Sequence, residues 1–125
     1  MSLAKILWVD DEIESLQSQK LFLENKGYDV QTLTNGFDAI DYIKENIVDV
    51  VLIDETMPGI TGLEVVEGVR DRDTEVAVIM FTAYTGDLEA QGRRLGFTVL
   101  RKPLDIEGLR RAVRDALVAR GTLAG

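Results

Sequence analysis

Residues 48–62 read VDVVLIDETMPGITG, and this stretch contains a strand, a turn and the start of a helix. Val48 to Ile53 is apolar apart from Asp49, as expected of a parallel strand covered on both faces. Asp54 closes the run, and Pro58-Gly59 supplies a turn. Thr61-Gly-Leu-Glu64 then reads as a capping box, opening a helix whose Leu63, Val66 and Val69 share a face.

The same pattern recurs along the chain. Lys5–Val9, Val30–Leu33, Val76–Phe81 and Thr98–Arg101 are short and rich in Val, Ile and Leu. Between them lie helical periods: Ala39, Ile40, Ile43 and Ile47 on one face, and Ile106, Leu109, Val113, Ala116 and Leu117 after an Asp105 N-cap. A first helix is expected over about Glu14 to Asn25, with its apolar residues (Ile13, Leu16, Leu21, Phe22, Leu23) bunched toward its end. Lys26-Gly27 and Asn35-Gly36 punctuate the breaks. Five βα units imply an α/β fold: a doubly wound, five-stranded parallel sheet with five helices distributed over both faces. In such sheets ligands bind beyond the carboxyl ends of the strands, where the winding reverses.

Composition narrows the function. The chain has 125 residues, enough for one domain with a core of its own, and 46% are hydrophobic. Fourteen Lys and Arg against 22 Asp and Glu give a net charge of −8, which argues against binding nucleic acid or docking on an anionic membrane. No apolar run approaches the length of a membrane span, and the expected location is cytoplasmic. The absence of Cys excludes disulfides and thiolate metal sites, and the absence of His excludes imidazole ligands and His-based catalytic triads.

The strand ends carry the chemistry. The first strand runs into Asp10-Asp11-Glu12, the third ends in Asp54, the fourth in Thr82, and the fifth in Lys102-Pro103. Each alone has an ordinary structural explanation as a cap, a strand residue or a solvated charge. Together they do not. Two carboxylates about 5 Å apart repel by roughly 3 kcal/mol at an effective dielectric near 20, so acids converging on one edge call for a cation. Oxygen ligands without His or Cys point to Mg²⁺ or Mn²⁺. A metal, an ammonium and a hydroxyl around a carboxylate suit a phosphoryl group, and Asp54 is the natural nucleophile.

The order DD, then DETMPGITG (Asp54 to Gly62), then Thr82-Ala83, then Lys102-Pro103 resembles the receiver domain of two-component response regulators across essentially the whole chain. The resemblance implies a flavodoxin-like fold with sheet order 2-1-3-4-5, and a phosphoryl group accepted by Asp54 from a sensor histidine kinase or histidine phosphotransfer protein. It implies Mg²⁺ held by Asp10, Asp11, Asp54 and the backbone carbonyl of Thr56, with Lys102 and Thr82 on phosphoryl oxygens. A cis Lys102-Pro103 bond is implied too. The domain would catalyse only its own phosphorylation and dephosphorylation. A homodimer or an output domain would engage the face formed by the fourth helix, fifth strand and fifth helix. Thr56 and Tyr84 stand at positions that tune hydrolysis in the family, and a bulky Tyr84 implies a long-lived aspartyl phosphate. Glu12 is read as an outer or surface acid, not a ligand. Trp8, close in sequence to the acids, is expected to report metal binding by fluorescence.

Two departures stand out. Val99 occupies the position where the family usually has an aromatic switch residue, and Thr82 is 20 positions from Lys102, a shorter interval than is usual. The deficit is expected within Thr85 to Gly96, making that face unusual. The domain is expected to span 1–125 with a core of about 4–119, and Gly121–Gly125 reads as the possible start of a linker from an N-terminal domain to a longer protein. Rival readings fare worse. A Mg²⁺-dependent phosphohydrolase would put its nucleophile on the first strand in a D-x-D pattern, and a flavin carrier would not meet its phosphate with three acids. A nucleotidase would need a P-loop. A degenerate receiver serving only as a phosphorylation-independent interaction module is the remaining alternative.

Overall fold

Alternate residues of each central strand point to opposite faces, and two separate cores result. In the computed structural model, which describes residues 2–71, 75–83 and 88–123, the chain runs β1 (Lys5–Val9), a 3-10 turn (Ile13–Leu16), α1 (Gln17–Asn25), β2 (Asp29–Leu33), α2 (Gly36–Glu45), β3 (Val50–Asp54), α3 (Gly62–Arg70), β4 (Ala77–Thr82), α4 (Leu88–Leu95), β5 (Phe97–Arg101) and α5 (Ile106–Ala119). All strand pairs are parallel, in the order β2-β1-β3-β4-β5. Leu7, Val9, Val51, Ile53, Val78 and Met80 face α2, α3 and α4, where they meet Ala39, Val65, Val66, Val69 and Leu88. Ile6, Trp8, Leu52, Ile79 and Phe81 face α1 and α5, where they meet Leu23, Leu109, Val113 and Leu117. Each such side chain fully removed from water contributes about 1.5–3 kcal/mol. Trp8 is wholly buried with its ring centroid 6.0 Å from that of Phe81, and its indole N–H has no acceptor among the described residues. The N-caps expected at Thr61 and Asp105 both form, the first as a full capping box.

Three local expectations are corrected. The first helix is split, because Glu12 and Leu16 both leave helical geometry and Ile13–Leu16 closes as a 3-10 turn before α1 begins. In α1 itself Leu21 is 57% exposed and only Leu23 is fully buried. Ile47 does not belong to the α2 face: Asn46 turns extended, its amide donates to the Tyr42 carbonyl at 3.0 Å, and Ile47 is left 85% exposed. β3 begins at Val50, not Val48, because Asp49 is used to fasten β1, accepting from the Lys5 N–H at 2.8 Å.

The start of α3 is pressed onto the end of β3. The Gly62 N–H donates to the Glu55 carbonyl at 2.9 Å, and a Cβ at Gly62 would stand 2.5 Å from the Asp54 carbonyl oxygen. Gly59, at φ +85°, lets the intervening loop turn back. Gly62→Ala should therefore destabilise the protein by about 1–3 kcal/mol through forced displacement of the β3 end. A urea midpoint equal to that of the wild type would contradict this close approach.

Candidate functional site

β1 and β3 are neighbours at the centre of the sheet, and β2 and β3 lie on opposite sides of β1, so the winding reverses there. The residues following β1 and closing β3 meet at this point. Asp10, Asp11 and Asp54 each offer a carboxylate oxygen within 4.8 Å of the others. Asp10 and Asp54 are buried, at 3% and 5% exposure, while Asp11 is exposed. β5 delivers Lys102, whose Nζ lies 3.0 Å from Asp54 Oδ2. An open cleft of ≈ 490 Å³ lies above them, lined by Asp11, Glu12, Asp54, Thr56, Met57, Pro58 and Lys102.

Backbone amides hold the two buried acids in place. The Glu12 N–H donates to Asp10 Oδ1 at 2.8 Å, and the Thr56 N–H donates to Asp54 Oδ1 at 3.1 Å. Even so, burial pushes the Asp10 carboxyl above the ordinary carboxylate range. The Glu12 amide opposes this, the Asp54 charge adds to it, and Lys102 and Asp11 make smaller contributions in opposite directions. Three carboxylates facing one lysine leave a deficit of positive charge. The donors are all oxygen, in a chain without His or Cys, so the set fits a hard divalent cation such as Mg²⁺.

Thr82 is buried at the end of β4, and its hydroxyl donates to Oε1 of Glu55. Thr56 is exposed on the cleft, and the Lys102-Pro103 bond is cis. Val99 is half-buried against the core under α2, α3 and α4. Tyr84 lies outside the described residues. Trp8 points to the α1 and α5 side and packs on Phe81, so it is better placed to sense the β4 end than the acids. Glu12 takes part through its backbone: the N–H caps Asp10 and the carbonyl accepts from Ser15. Glu55 is the participant that sequence reasoning missed. Its only signal was an acid placed directly after Asp54.

A doubly wound α/β domain with an acid cluster that could hold a cation, and a lysine beside it, at its switch point has the groups to meet an anionic ligand. The response regulator receiver domain matches residues 6–114, and the chain belongs to that family. It is 34% identical over 116 residues to sporulation initiation phosphotransferase F of Bacillus subtilis, covering 90% of this chain and 93% of that protein. It is 35% identical over 124 residues to the uncharacterized transcriptional regulatory protein YkoG of the same organism, covering 98% of this chain but 54% of the relative, about half its length. Among solved structures, the response regulator TrrA of Thermotoga maritima, in complex with Mg²⁺-BeF, superposes with a TM-score of 0.82 at 30% identity, covering 94% of this chain and 100% of that one. The protein is thus a response regulator receiver domain, a signalling domain of a family that uses Mg²⁺.

The raised Asp10 ionisation fixes the sign of a pH effect. Because the folded value lies above the unfolded one, the penalty is absent below the unfolded value and fully developed above the folded one. Asp10→Asn keeps the acceptor for the Glu12 amide and removes the charge. In metal-free protein it should add on the order of 1 kcal/mol of stability at neutral pH, a rise of several degrees in Tm. The gain should shrink as the pH falls through the acid range. Thermal melts with EDTA at a series of pH values test this, and a lower Tm for the variant at neutral pH would contradict it.

Proposed function

We propose that Asp54 is the phosphoacceptor of this receiver domain, taking a phosphoryl group from a phospho-histidine on a sensor kinase or phosphotransfer protein. The observation that carries the reading is Asp54 itself, buried at the end of β3 with the Lys102 ammonium 3.0 Å from one oxygen and Asp10 and Asp11 beside it. Asp10, Asp11 and Asp54 would hold Mg²⁺ with the Thr56 carbonyl; Mn²⁺ is an equivalent choice for such donors. The metal, when bound, supplies positive charge against the phosphoryl oxygens.

An Asp54 carboxylate oxygen attacks phosphorus. The new P–O bond forms as the P–N bond to the donor imidazole breaks, and the electron pair returns to that nitrogen. Lys102 keeps its proton and balances the charge on the transferred group. Thr82 donates its hydroxyl to a second phosphoryl oxygen, which moves the β4 end. The chain has no His, so the donor must bring the imidazole. In this role the domain catalyses only its own phosphorylation and dephosphorylation, in the cytoplasm. No helix among the described residues is long and apolar enough to cross a membrane. The output partner, a second copy or an attached domain, engages the α4–β5–α5 face. Nucleic acid is not a ligand of this domain, which as a unit spans 1–125.

Incubation with Mg²⁺ and a small phosphoryl donor such as acetyl phosphate should add one phosphoryl group, seen by intact mass. Asp54→Asn or an excess of EDTA should abolish the addition, and Lys102→Ala should reduce it at least about tenfold. A wild type that gains no mass, and whose Asp54 and Thr82 resonances ignore Mg²⁺-beryllofluoride, would instead be a phosphorylation-independent interaction module. With Thr56 two residues past Asp54 and Tyr84 two residues past Thr82 in sequence, the aspartyl phosphate should be long-lived, so loss of label within seconds in purified protein would contradict that part of the reading.

A further inference from the structure

The reaction proposed above needs the Thr82 hydroxyl, and in this structure that hydroxyl is already committed. It donates to Oε1 of Glu55, the residue immediately after Asp54. The contact is held from both sides. The Glu55 N–H donates to the Phe81 carbonyl at 2.9 Å, and the Glu55 carbonyl accepts from the Gly62 N–H at 2.9 Å. The Thr82 carbonyl in turn accepts from the Lys102 N–H at 2.9 Å. Both backbones are therefore fixed across the β3, β4 and β5 ends, and the carboxylate and hydroxyl face each other part-buried.

A threonine hydroxyl has one proton to donate. It can go to the Glu55 carboxylate or to a phosphoryl oxygen on Asp54, but not to both. The carboxylate is a charged acceptor, and hydrogen bonds to charged groups are among the stronger ones a side chain makes.

We propose that Glu55 is a latch: it holds the Thr82 hydroxyl in the unmodified domain, and the domain switches only when a phosphoryl group takes that proton in exchange. Glu55 is thus a positioning residue acting through Thr82, and the inference rests on the phosphoacceptor reading of Asp54. The latch raises the threshold for activation, keeping the unphosphorylated population in the inactive arrangement.

A double-mutant cycle on Mg²⁺-beryllofluoride affinity, measured by calorimetry, separates the latch from simple charge. Glu55→Ala should bind the mimic about tenfold more tightly than wild type, since the competing charged acceptor is gone. In a Thr82→Val background the same Glu55→Ala change should alter affinity by less than about twofold. An equal gain in both backgrounds would mean that Glu55 acts only as a negative charge, and would overturn the latch. So would an unchanged or weaker affinity in Glu55→Ala.

A second readout does not depend on the affinity of the Val variants. In the unliganded Glu55→Ala protein, the Thr82 methyl resonance should move from its wild-type position toward its beryllofluoride-bound one. A methyl that stays at the wild-type position overturns the proposal. Should Glu55→Ala not fold, Glu55→Gln replaces it, with a smaller gain of about threefold expected because a neutral acceptor remains. Binding of the mimic by neither wild type nor the Glu55 variants would remove the phosphoacceptor reading, and the latch with it. Binding by both without the Thr82 dependence removes the latch alone.

Discussion

Two carboxylates buried side by side at the carboxyl ends of β1 and β3 set the terms for the rest of the molecule. With oxygens within 4.8 Å of each other, the two charges repel by roughly 3 kcal/mol at an effective dielectric near 20. Lys102 offsets part of this for Asp54, but its side chain is 39% exposed, so solvent screens much of the attraction. The Glu12 and Thr56 amides offset more, because they lie in fixed backbone and require little further ordering. The balance is met by the apolar sheet beneath. Trp8, Leu52, Ile53, Met80 and Phe81 are wholly buried within one or two residues of the strand ends. The scaffold is most apolar immediately below the point where the charge is most crowded, which lets it carry an arrangement that is unfavourable without a cation.

That division of labour leaves the site independent of α4. The acids, the lysine and the hydroxyl lie at the ends of β1, β3, β4 and β5, whereas α4 contributes only to the core on one face. It is eight residues long and buries Leu88 and Gly92. Val99, half-buried against the same core, has no ring to rotate between inward and outward positions. Position 99 therefore offers no aromatic rotation.

Much of this was legible in the sequence because the signals are strong and local. Near-continuous apolar runs of five or six residues define buried parallel strands, and a capping box needs only Thr61 and Glu64 at the right spacing. Asp10, Asp11, Asp54 and Lys102 are legible as a group because each follows directly from a strand, so topology alone brings them together. Other features depend on competition that a pattern does not display. Ile47 continues the helical period of α2, but Asn46 gives its amide to the Tyr42 carbonyl and ends the helix first. Asp10 and Asp11 are equivalent as letters, yet one is buried and capped by an amide and the other is exposed. Glu55 follows a strand end, where an acid is ordinarily solvated. Its bond to Thr82 depends on the register Asp54↔Phe81, which only the folded sheet supplies.

That register also joins the site into one mechanical unit. Hydrogen bonds continue past the last paired residues, stitching neighbouring strand ends together: Asp10 N–H to the Leu33 carbonyl, Glu55 N–H to the Phe81 carbonyl and Lys102 N–H to the Thr82 carbonyl. Asp54 precedes Glu55, Thr82 follows Phe81, and Lys102 returns to Asp54 through its side chain. The circuit therefore closes through alternating covalent and hydrogen-bonded links, with the Asp54 carboxylate at one corner and the threonine hydroxyl at another. Under the proposed phosphoacceptor role of Asp54, a group added there would displace the lysine and compete for the hydroxyl at once. Under that proposal neither response could occur without loading the Lys102 N–H to Thr82 carbonyl bond that fixes β4 against β5. The same bonds that hold the site also link it to β5 at the edge of the sheet.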